Sequence, residues 1–208
     1  DTLRGDIGND RLDGGGDDDL LFGGDGADSL AGDDGNDDVR GEAGDDYLAG
    51  GTGADRLRGD LGADTIYGGA DNDTAIGGAD NDLIYGDDGN DVIFAETGDD
   101  ILFGGAGNDR LKGQDGNDTL TGDAGNDNLS GGANTDVFAF DATVDTGSDI
   151  ITDFDITEDR IAISGMSTTD ILAAVRDKGG DAHIDLDGGG IIRLQGIDIA
   201  DVTGSLFV

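Results

Sequence analysis

Fifteen aspartates recur at nine-residue intervals between residues 10 and 136. Carboxylates spaced so evenly are typical of a row of cation sites, because a hard cation such as calcium takes roughly six to eight oxygens from carboxylates and carbonyls. Each aspartate of the row is a candidate metal ligand. They are Asp10, Asp19, Asp28, Asp37, Asp46, Asp55, Asp64, Asp73, Asp82, Asp91, Asp100, Asp109, Asp118, Asp127 and Asp136.

Calcium suits this row better than the other common metals do. Magnesium favours tighter octahedral geometry and keeps its waters. Zinc prefers sulfur and nitrogen ligands, for which the chain offers no cysteine and only His183. The alternative is an acidic face that is merely solvated, but solvation does not require fifteen aspartates in register. The row therefore predicts calcium binding.

The aspartates belong to a nine-residue repeat that starts at Gly5 and runs for fifteen units to residue 139 without insertion or deletion. The first position is glycine in every unit except at Ala95, and the eighth is Leu, Ile, Val or Phe except at Ala75. Six residues rich in Gly, Asn and Asp predict a turn. Three residues with a central aliphatic side chain predict a very short strand.

The fourth position of the repeat is glycine in eleven units, and the exceptions are Asp17, Asp71, Asp80 and Asn134. Asp and Asn are the residues that best tolerate a positive φ after glycine. The turn is therefore predicted to need a left-handed backbone at this position.

One unit cannot bury its single aliphatic side chain, but a stack of units buries a continuous row. Two units per coil would place odd and even strands on opposite faces of a flattened helix. Residues 18 apart would then lie one above another at a spacing of about 4.8 Å. Fifteen units predict about seven coils and a rod roughly 35 Å long. The predicted fold class is all-β.

The charge of the chain limits its partners. There are 49 Asp and Glu residues against 11 Lys and Arg, which gives a net charge of −38. Nucleic acid and anionic membrane surfaces would repel such a chain, and no apolar run is long enough to span a membrane. Because 35% of the residues are apolar, we expect the chain to fold when something cancels the charge.

The unit "GGAGNDRLK" at residues 104–112 resembles the calcium-binding RTX nonapeptide of secreted bacterial proteins, G-G-x-G-x-D-x-U-x, with U an apolar residue. The resemblance covers residues 1–139. It implies a calcium-bound parallel β-roll, which is a right-handed parallel β-helix with two nonapeptides per coil. It also implies a secreted, extracellular protein.

In that family, one loop gives an ion the carbonyls of positions two and four and the aspartate side chain. The loop two units later gives the carbonyls of positions one and three and its own aspartate. Fifteen units then allow up to 13 calcium ions. One implied set joins Gly105, Gly107 and Asp109 to Gly122, Ala124 and Asp127.

The implied backbone ligands are glycines and alanines of the first four positions. At the first position they are Gly23, Gly32, Gly41, Gly50, Gly59, Gly68, Gly77, Gly86, Gly104, Gly113, Gly122 and Gly131. At the second they are Gly15, Gly24, Gly51, Gly69, Gly78 and Gly105, and at the third Ala43, Ala106, Ala124 and Ala133. At the fourth they are Gly8, Gly26, Gly35, Gly44, Gly53, Gly62, Gly89, Gly98, Gly107 and Gly116.

Some units depart from the family pattern. Ala95 and Glu96 stand where the family has two glycines, and Asp71 and Asp80 stand at the fourth position. We expect the sites that use these residues to be weaker or altered.

Calcium would act on this chain as a folding switch. Extracellular calcium modules bind at roughly 10⁻⁴ to 10⁻³ M, and free calcium in the cytosol lies far below that. We therefore expect an unfolded chain inside the cell and a folded one outside. The chain begins at Asp1 and shows no signal peptide, so we expect a piece from the C-terminal end of a larger protein, with an effector domain upstream.

Residues 140–208 break the repeat and are predicted to form a second, β-rich region. Strands are expected at residues 150–151 and 161–163, a helix in "STTDILAAVRDK", and a hairpin in "AHIDLDGGGIIRLQG" across residues 187–190. Ser167 to Asp170 offer helix caps. Alternation predicts that Ala182, Ile184 and Leu186 point inward and His183 outward.

The same region resembles the segment that follows RTX repeats in serralysin-type proteases, in "DVFAF", "GSDIITDF", "DRIAIS", "IIRLQGI" and the apolar tail. The resemblance implies a β-sandwich-like cap. It also implies an uncleaved signal for export by a type I ABC transporter. The alternative is that the segment only seals the open edge of the stack.

No catalytic constellation is present in the sequence: HExxH, G-x-S-x-G and P-loop motifs do not occur. We therefore expect this chain to be a non-enzymatic module. Two alternatives stay open: an extracellular binding or adhesion module, and the C-terminal part of a secreted protease, lipase or polysaccharide-modifying enzyme.

An apolar, partly aromatic patch is predicted on the face made by the odd-numbered units. Its strand positions are Thr65 and Tyr67, Leu83 and Tyr85, and Ile101 and Phe103. These side chains would form either a self-supporting ladder of stacked rings or a docking surface for the cap, another domain or a partner.

Overall fold

The nonapeptides form two long parallel sheets, and the chain crosses from one sheet to the other in every unit. This computed structural model describes residues 1–144 and 147–208. Successive coils stack into a parallel β-solenoid of about eight turns. The predicted fold class, an all-β parallel roll, is confirmed.

The first sheet has twelve strands. In spatial order they are β1 (Thr2–Ile7), β3 (Leu20–Asp25), β5 (Asp38–Ala43), β7 (Arg56–Leu61), β9 (Thr74–Ala79), β11 (Val92–Thr97), β13 (Arg110–Asp115), β15 (Asn128–Ala133), β17 (Ser148–Ile151), β21 (Ile191–Leu194), β20 (Ala182–Asp185) and β19 (Val175–Asp177).

The second sheet has nine strands. In spatial order they are β18 (Arg160–Ser164), β16 (Val137–Asp141), β14 (Thr119–Ala124), β12 (Ile101–Ala106), β10 (Leu83–Asp88), β8 (Thr65–Ala70), β6 (Tyr47–Thr52), β4 (Ser29–Asp34) and β2 (Arg11–Gly16).

Neighbouring strands within the repeats are offset by 18 residues. Ile84, for example, pairs with Ile66 on one side and with Leu102 on the other. This register places two nonapeptides in each coil, as predicted. Every position of the repeat therefore lies directly above the same position one coil earlier.

The strands are longer than predicted. Each strand of the repeats contains six residues, for example Thr119–Ala124, and so takes in the first three positions of the following unit as well as the predicted three. Those three positions were predicted to belong to the turn, which is wrong. Their glycines are held in strand pairing by the coils above and below, an interaction between distant parts of the chain that the local sequence does not show.

The eighth position of each unit points between the two sheets and forms the core. From Leu12 to Phe138 these side chains are buried, including the small Ala75. Two facing rows of apolar side chains, one from each sheet, thus fill the space between the sheets, as expected from the alternation of side chains along a strand.

Left-handed backbone occurs where it was predicted and also at a second position. Fourteen of the fifteen fourth positions have a positive φ, including Asp17 at 72° and Asn134 at 79°. All fifteen second positions have one too, among them Glu96 at 80° and Gln114 at 82°. The second-position requirement was not predicted, because more than half of these residues are neither glycine nor asparagine.

The C-terminal region extends both sheets of the roll. Strand β17 pairs in parallel with β15, and β18 pairs in parallel with β16. The predicted hairpin is formed by β20 and β21, which are antiparallel. The region implied to be a sandwich-like cap is therefore continuous with the roll.

The predicted helix is present but short. It is α1 (Thr168–Ala174), and the side chain of Ser167 caps it by accepting a hydrogen bond from the backbone N–H of Asp170. The following Val175–Asp177, also predicted to be helical, is instead a strand paired with β20. As predicted, Ala182, Ile184 and Leu186 are buried, and His183 is only half-buried.

The end of the chain packs into the fold. Two short 3₁₀ helices, Ile199–Asp201 and Gly204–Leu206, precede the last residues. Leu206 is buried, Phe207 forms a parallel bridge with Ile161, and the backbone N–H of Val208 donates to the carbonyl of Ile161. Of the apolar tail, Leu206 is therefore covered in the folded state, whereas the side chain of Val208 is 72% exposed.

Aromatic rings on the outer face of the second sheet form a ladder. The ring centroids of Tyr67 and Tyr85 are 4.8 Å apart and those of Tyr85 and Phe103 are 4.9 Å apart, with nearly parallel planes. Tyr47 adds a tilted ring at 5.5 Å from Tyr67. Ring faces that cover one another leave mainly ring edges exposed, which favours the self-supporting ladder over a docking platform.

None of the helices in the described residues has the length and apolar character needed to cross a membrane.

We expect Tyr85→Ser to destabilise the calcium-loaded roll more than Tyr47→Ser does. Tyr85 has a stacked ring on each side, whereas Tyr47 contacts one ring at a tilt. Each aromatic pair is worth about 0.5–1.5 kcal/mol beyond its buried area. Denaturant unfolding in calcium measures the difference, and equal losses for the two variants would contradict a ladder that supports itself.

Candidate metal centre

The sixth-position aspartates are linked to one another along both edges of the roll. The backbone N–H of Asp10 donates to Oδ1 of Asp28 at 2.7 Å, and that of Asp109 donates to Oδ1 of Asp127 at 2.8 Å. Thirteen such hydrogen bonds connect every pair of repeat aspartates 18 residues apart. We call this arrangement the aspartate ladder.

The second oxygen of these carboxylates is buried in the turn. Within the part of the chain that the structure describes, fourteen of the repeat aspartates have an Oδ2 atom that accepts no hydrogen bond. Burying a carboxylate oxygen without a partner is costly, so these atoms indicate that something else binds there. They belong to Asp10, Asp19, Asp28, Asp37, Asp46, Asp55, Asp64, Asp73, Asp82, Asp91, Asp100, Asp109, Asp118 and Asp136.

The first-position glycines keep a space open beside these oxygens. A Cβ atom on Gly14 would lie 2.7 Å from Oδ2 of Asp19 and 2.8 Å from the carbonyl oxygen of Gly32. Twelve of the first-position glycines show this pair of neighbours closer than 3.0 Å. Calcium binds oxygen at about 2.3–2.6 Å. A carboxylate and a carbonyl oxygen therefore border a small space where the chain has no side chain.

The other implied carbonyls also lie in the turns. The third-position carbonyls of Ala43, Ala106, Ala124 and Ala133 each accept a hydrogen bond from the fourth-position N–H one coil earlier. A carbonyl has two lone pairs, so this bond leaves one for a cation. At the fourth position the coils approach so closely that a Cβ on Gly26 would collide with the carbonyl of Gly8.

Burial raises the pKa of most ladder carboxylates. Desolvation, together with the weaker repulsion of neighbouring ladder carboxylates, raises the pKa of Asp64 and Asp73 to about 7 and that of Asp82 to about 8. The hydrogen bond from the preceding aspartate's N–H acts in the opposite direction but is the smaller effect. Near neutral pH, the metal-free ladder would hold protons that ordinary carboxylates have released.

The donor set of these sites fits a hard cation. In residues 1–144 and 147–208, no group of three or more His, Cys, Asp or Glu side chains converges on one point. The space beside a first-position glycine is bordered by a carboxylate oxygen and a backbone carbonyl oxygen, and oxygen donors of this kind suit calcium better than zinc. His183 lies far along the chain in the hairpin and pairs with Arg176 and Arg193 in the sheet.

Two further aspartates continue the ladder beyond the repeats, and neither was predicted from the sequence. The N–H of Asp127 donates to Oδ1 of Asp149 at 2.9 Å, and the N–H of Asp136 donates to Oδ1 of Asp159 at 3.0 Å. The offsets are 22 and 23 residues instead of 18, so a strict nine-residue frame cannot find them. The signal was an aspartate two residues before a buried isoleucine, as in Asp–x–Ile at 149–151 and 159–161.

Asp159 ends its row of the ladder. Its Oδ2 accepts a hydrogen bond from the backbone N–H of Asp155 at 2.8 Å, so both of its carboxylate oxygens are bonded to backbone. The equivalent Oδ2 atom of fourteen repeat aspartates points into the turn without a donor among the described residues, whereas that of Asp159 is hydrogen-bonded to the backbone.

The atypical units keep the ladder but differ in backbone. Asp71 and Asp80 have φ of 81° and 76°, whereas the fourth-position Gly62 and Gly98 have 115° and 140°. Their carbonyls nevertheless lie against the next coil as those of the glycine turns do, since a Cβ on Gly89 would collide with the carbonyl of Asp71 and one on Gly98 with that of Asp80. Glu96 has a left-handed backbone, as the second-position glycines have.

The repeats match a family model that describes the RTX calcium-binding nonapeptide repeat in groups of four copies. The matched segments are residues 1–30, 22–57, 31–66, 40–75, 50–84, 67–102, 76–111 and 103–138. Together they cover residues 1–138, about two thirds of the chain. No curated protein matches the chain.

The solved structures that match this chain include the solution structure of the AlgE6R3 subunit of the mannuronan C5-epimerase from Azotobacter vinelandii. It is 30% identical, the match covers 62% of this chain and 78% of that subunit, and the TM-score is 0.45. The crystal structure of the extracellular lipase LipA from Serratia marcescens is 18% identical with a TM-score of 0.43. That match covers 92% of this chain and 38% of the lipase chain.

We expect the metal-free chain to lose β structure as the pH rises from about 5 to 8. Ten of the ladder carboxylates have folded-state pKa values of about 6 to 8, above the value of about 3.9 for an unfolded aspartate. A raised pKa contributes stability that is present below the unfolded pKa and is lost as the pH passes through the folded one.

Circular dichroism of the metal-free chain across this pH range measures the effect, with a calcium-saturated sample as the control. Calcium should keep the roll folded at pH 8 and should bind less tightly at pH 5, where protons compete for the same oxygens. A metal-free β content that stays constant or rises with pH would contradict the assignment.

Proposed function

Because the chain belongs to the family of RTX calcium-binding nonapeptide-repeat proteins, we propose that calcium controls whether it folds. In this proposal the chain is unfolded at the low calcium level of the cytosol and folds when calcium binds outside the cell. It thereby serves type I secretion and stabilises an attached secreted effector. The observation that carries the proposal is the row of buried carboxylate oxygens for which the chain supplies no partner.

The ion would be held by the residues of two stacked turns. The carboxylate of Asp109 and the carbonyl of Gly122 face the space at Gly104, where a Cβ would lie 2.5 Å from Oδ2 of Asp109 and 2.6 Å from that carbonyl. Asp127 would supply the second carboxylate of the pair. Further carbonyls of the same two turns would complete the shell. Bound calcium supplies the positive charge that the buried carboxylates lack.

Thirteen pairs of repeat aspartates allow up to thirteen ions. Each site stabilises the folded state by RT ln(1 + [L]/Kd), about 1.4 kcal/mol at a tenfold excess of calcium over Kd. Ten such sites would contribute about as much as the whole stability of an ordinary domain. The response to calcium would be steep, because the sites share aspartates along the ladder and fill as the coils form.

The C-terminal region supports the secretion part of the proposal. Once the chain is folded, Leu206 of its apolar tail is buried and Phe207 forms a bridge with Ile161 of β18. A transporter that recognises Leu206 could therefore bind it only before folding, and the low calcium of the cytosol would keep the chain in that unfolded state. Residues 140–208 would thus seal the C-terminal end of the roll in the folded state and act as the export signal in the unfolded one.

The chain should change from coil to β structure as calcium rises to millimolar concentration. In a chelator at pH 8 its circular dichroism should resemble a random coil, because the net charge of −38 and the ionised buried carboxylates oppose folding. Magnesium at the same concentration is the control, and it should fold much less of the chain. A fully folded roll in chelator would show that calcium is not the switch.

Deletion of residues 206–208 should abolish export through a type I ABC transporter. The export assay compares the deleted chain with the full chain and with Ile7→Ser, a change at an exposed side chain far from the tail. Circular dichroism in calcium shows first that the deleted chain still folds. Export at the level of the full chain would remove the signal from the proposal and leave only the sealing role.

A further inference from the structure

Ala95 is the only first-position residue of the fifteen units that is not glycine. It is fully buried in strand β11. Strand β11 pairs with β13 so that residues 94 and 96 lie beside residues 112 and 114, which places Ala95 beside Gly113 one coil later. The backbone at Ala95 thus follows the same path as the backbone at the first-position glycines.

The space beside a first-position residue is where the candidate ligands of one ion converge. A Cβ on Gly104 would lie 2.5 Å from Oδ2 of its own Asp109 and 2.6 Å from the carbonyl oxygen one coil later, and a Cβ on Gly68 would lie 2.7 and 2.5 Å from the equivalent atoms. These separations match calcium–oxygen distances of about 2.3–2.6 Å. At Ala95 the equivalent atoms are Oδ2 of Asp100 and the carbonyl oxygen of Gly113.

We propose that the methyl group of Ala95 closes the calcium site between Asp100 and Asp118, so that the row of ions is interrupted at this coil. A methyl group and an ion cannot both lie between the same two oxygens. This inference rests on the proposed calcium function. It removes the ion from one of the thirteen aspartate pairs, so at most twelve ions would bind.

The interruption affects one site and spares its neighbours. The carbonyl of Ala95 still faces Gly77 and its Asp82, where a Cβ on Gly77 would lie 2.8 Å from that carbonyl. The site between Asp82 and Asp100 therefore keeps its ligands. The hydrogen bond from Asp100 N–H to Oδ1 of Asp118 is also present, at 2.9 Å, so the aspartate ladder continues across the closed site without an ion.

The experiment counts the calcium ions bound to the full chain by native mass spectrometry at saturating calcium. Ala95→Gly should bind one ion more than the original chain, and its melting temperature should rise more steeply with calcium concentration. Gly86→Ala, which places the same methyl group at the site between Asp91 and Asp109 in the other row, should bind one ion fewer.

Ala75→Gly is the matched control for packing. Ala75 is also a buried alanine of the roll, but it lies at the eighth position, away from the ladder. This variant should lose stability and bind the same number of ions as the original chain. An unchanged count in Ala95→Gly would overturn the inference, whereas a chain that binds no calcium in any variant would overturn the proposed function itself.

Discussion

The hydrogen bond from the N–H of one ladder aspartate to Oδ1 of the next is the contact on which the roll depends. It holds the carboxylate in the turn, and in fourteen of the repeat aspartates, Asp109 among them, the second oxygen is buried where the described residues provide no donor for it. Carboxylates stacked in this way repel one another and lose their hydration, as the raised pKa of Asp82 shows. The fold therefore contains a negative charge that only a proton or a cation can neutralise.

The same constraint explains why the repeat is rich in glycine and poor in core residues. A side chain at the first position would fill the space beside the ladder, and a side chain at Gly26 would strike the coil below. With so few positions free to carry apolar groups, each unit of nine residues buries little apolar surface beyond its eighth side chain. Ordering nine residues costs far more conformational entropy than one aliphatic side chain recovers. Backbone pairing and bound cations must supply the remainder.

Most of the roll could be predicted from the sequence because the repeat is strict. Period, coil size, inward-facing residues and the left-handed fourth position all follow from which residue types recur. The lengths of the strands could not be predicted, since positions one to three are extended only because neighbouring coils hold them. The positive φ at the second position could not be predicted either, because residue types such as Glu42 and Gln114 do not indicate a left-handed backbone.

The ladder itself was only partly predictable. The fifteen repeat aspartates follow from the period alone, and the structure links every one of them to a partner 18 residues away. Asp149 and Asp159 were missed because insertions separate them from their partners. The positions of Asp149 and Asp159 in the ladder are set by the pairing of β17 with β15 and of β18 with β16. That pairing depends on the folded structure and does not follow from the residue spacing in the sequence.

The 18-residue offset makes the roll a one-dimensional crystal, with one coil as its unit cell. In a perfect crystal every lattice translation is equivalent, so a strand that paired one coil out of place would find nearly the same neighbours. Ala75 and Ala95 act as point defects that break this equivalence, because only one alignment places each beside its observed neighbours. The irregular units therefore determine which coil each strand pairs with. An insertion of 18 residues would be absorbed as one more cell, whereas an insertion of a single residue would be a dislocation.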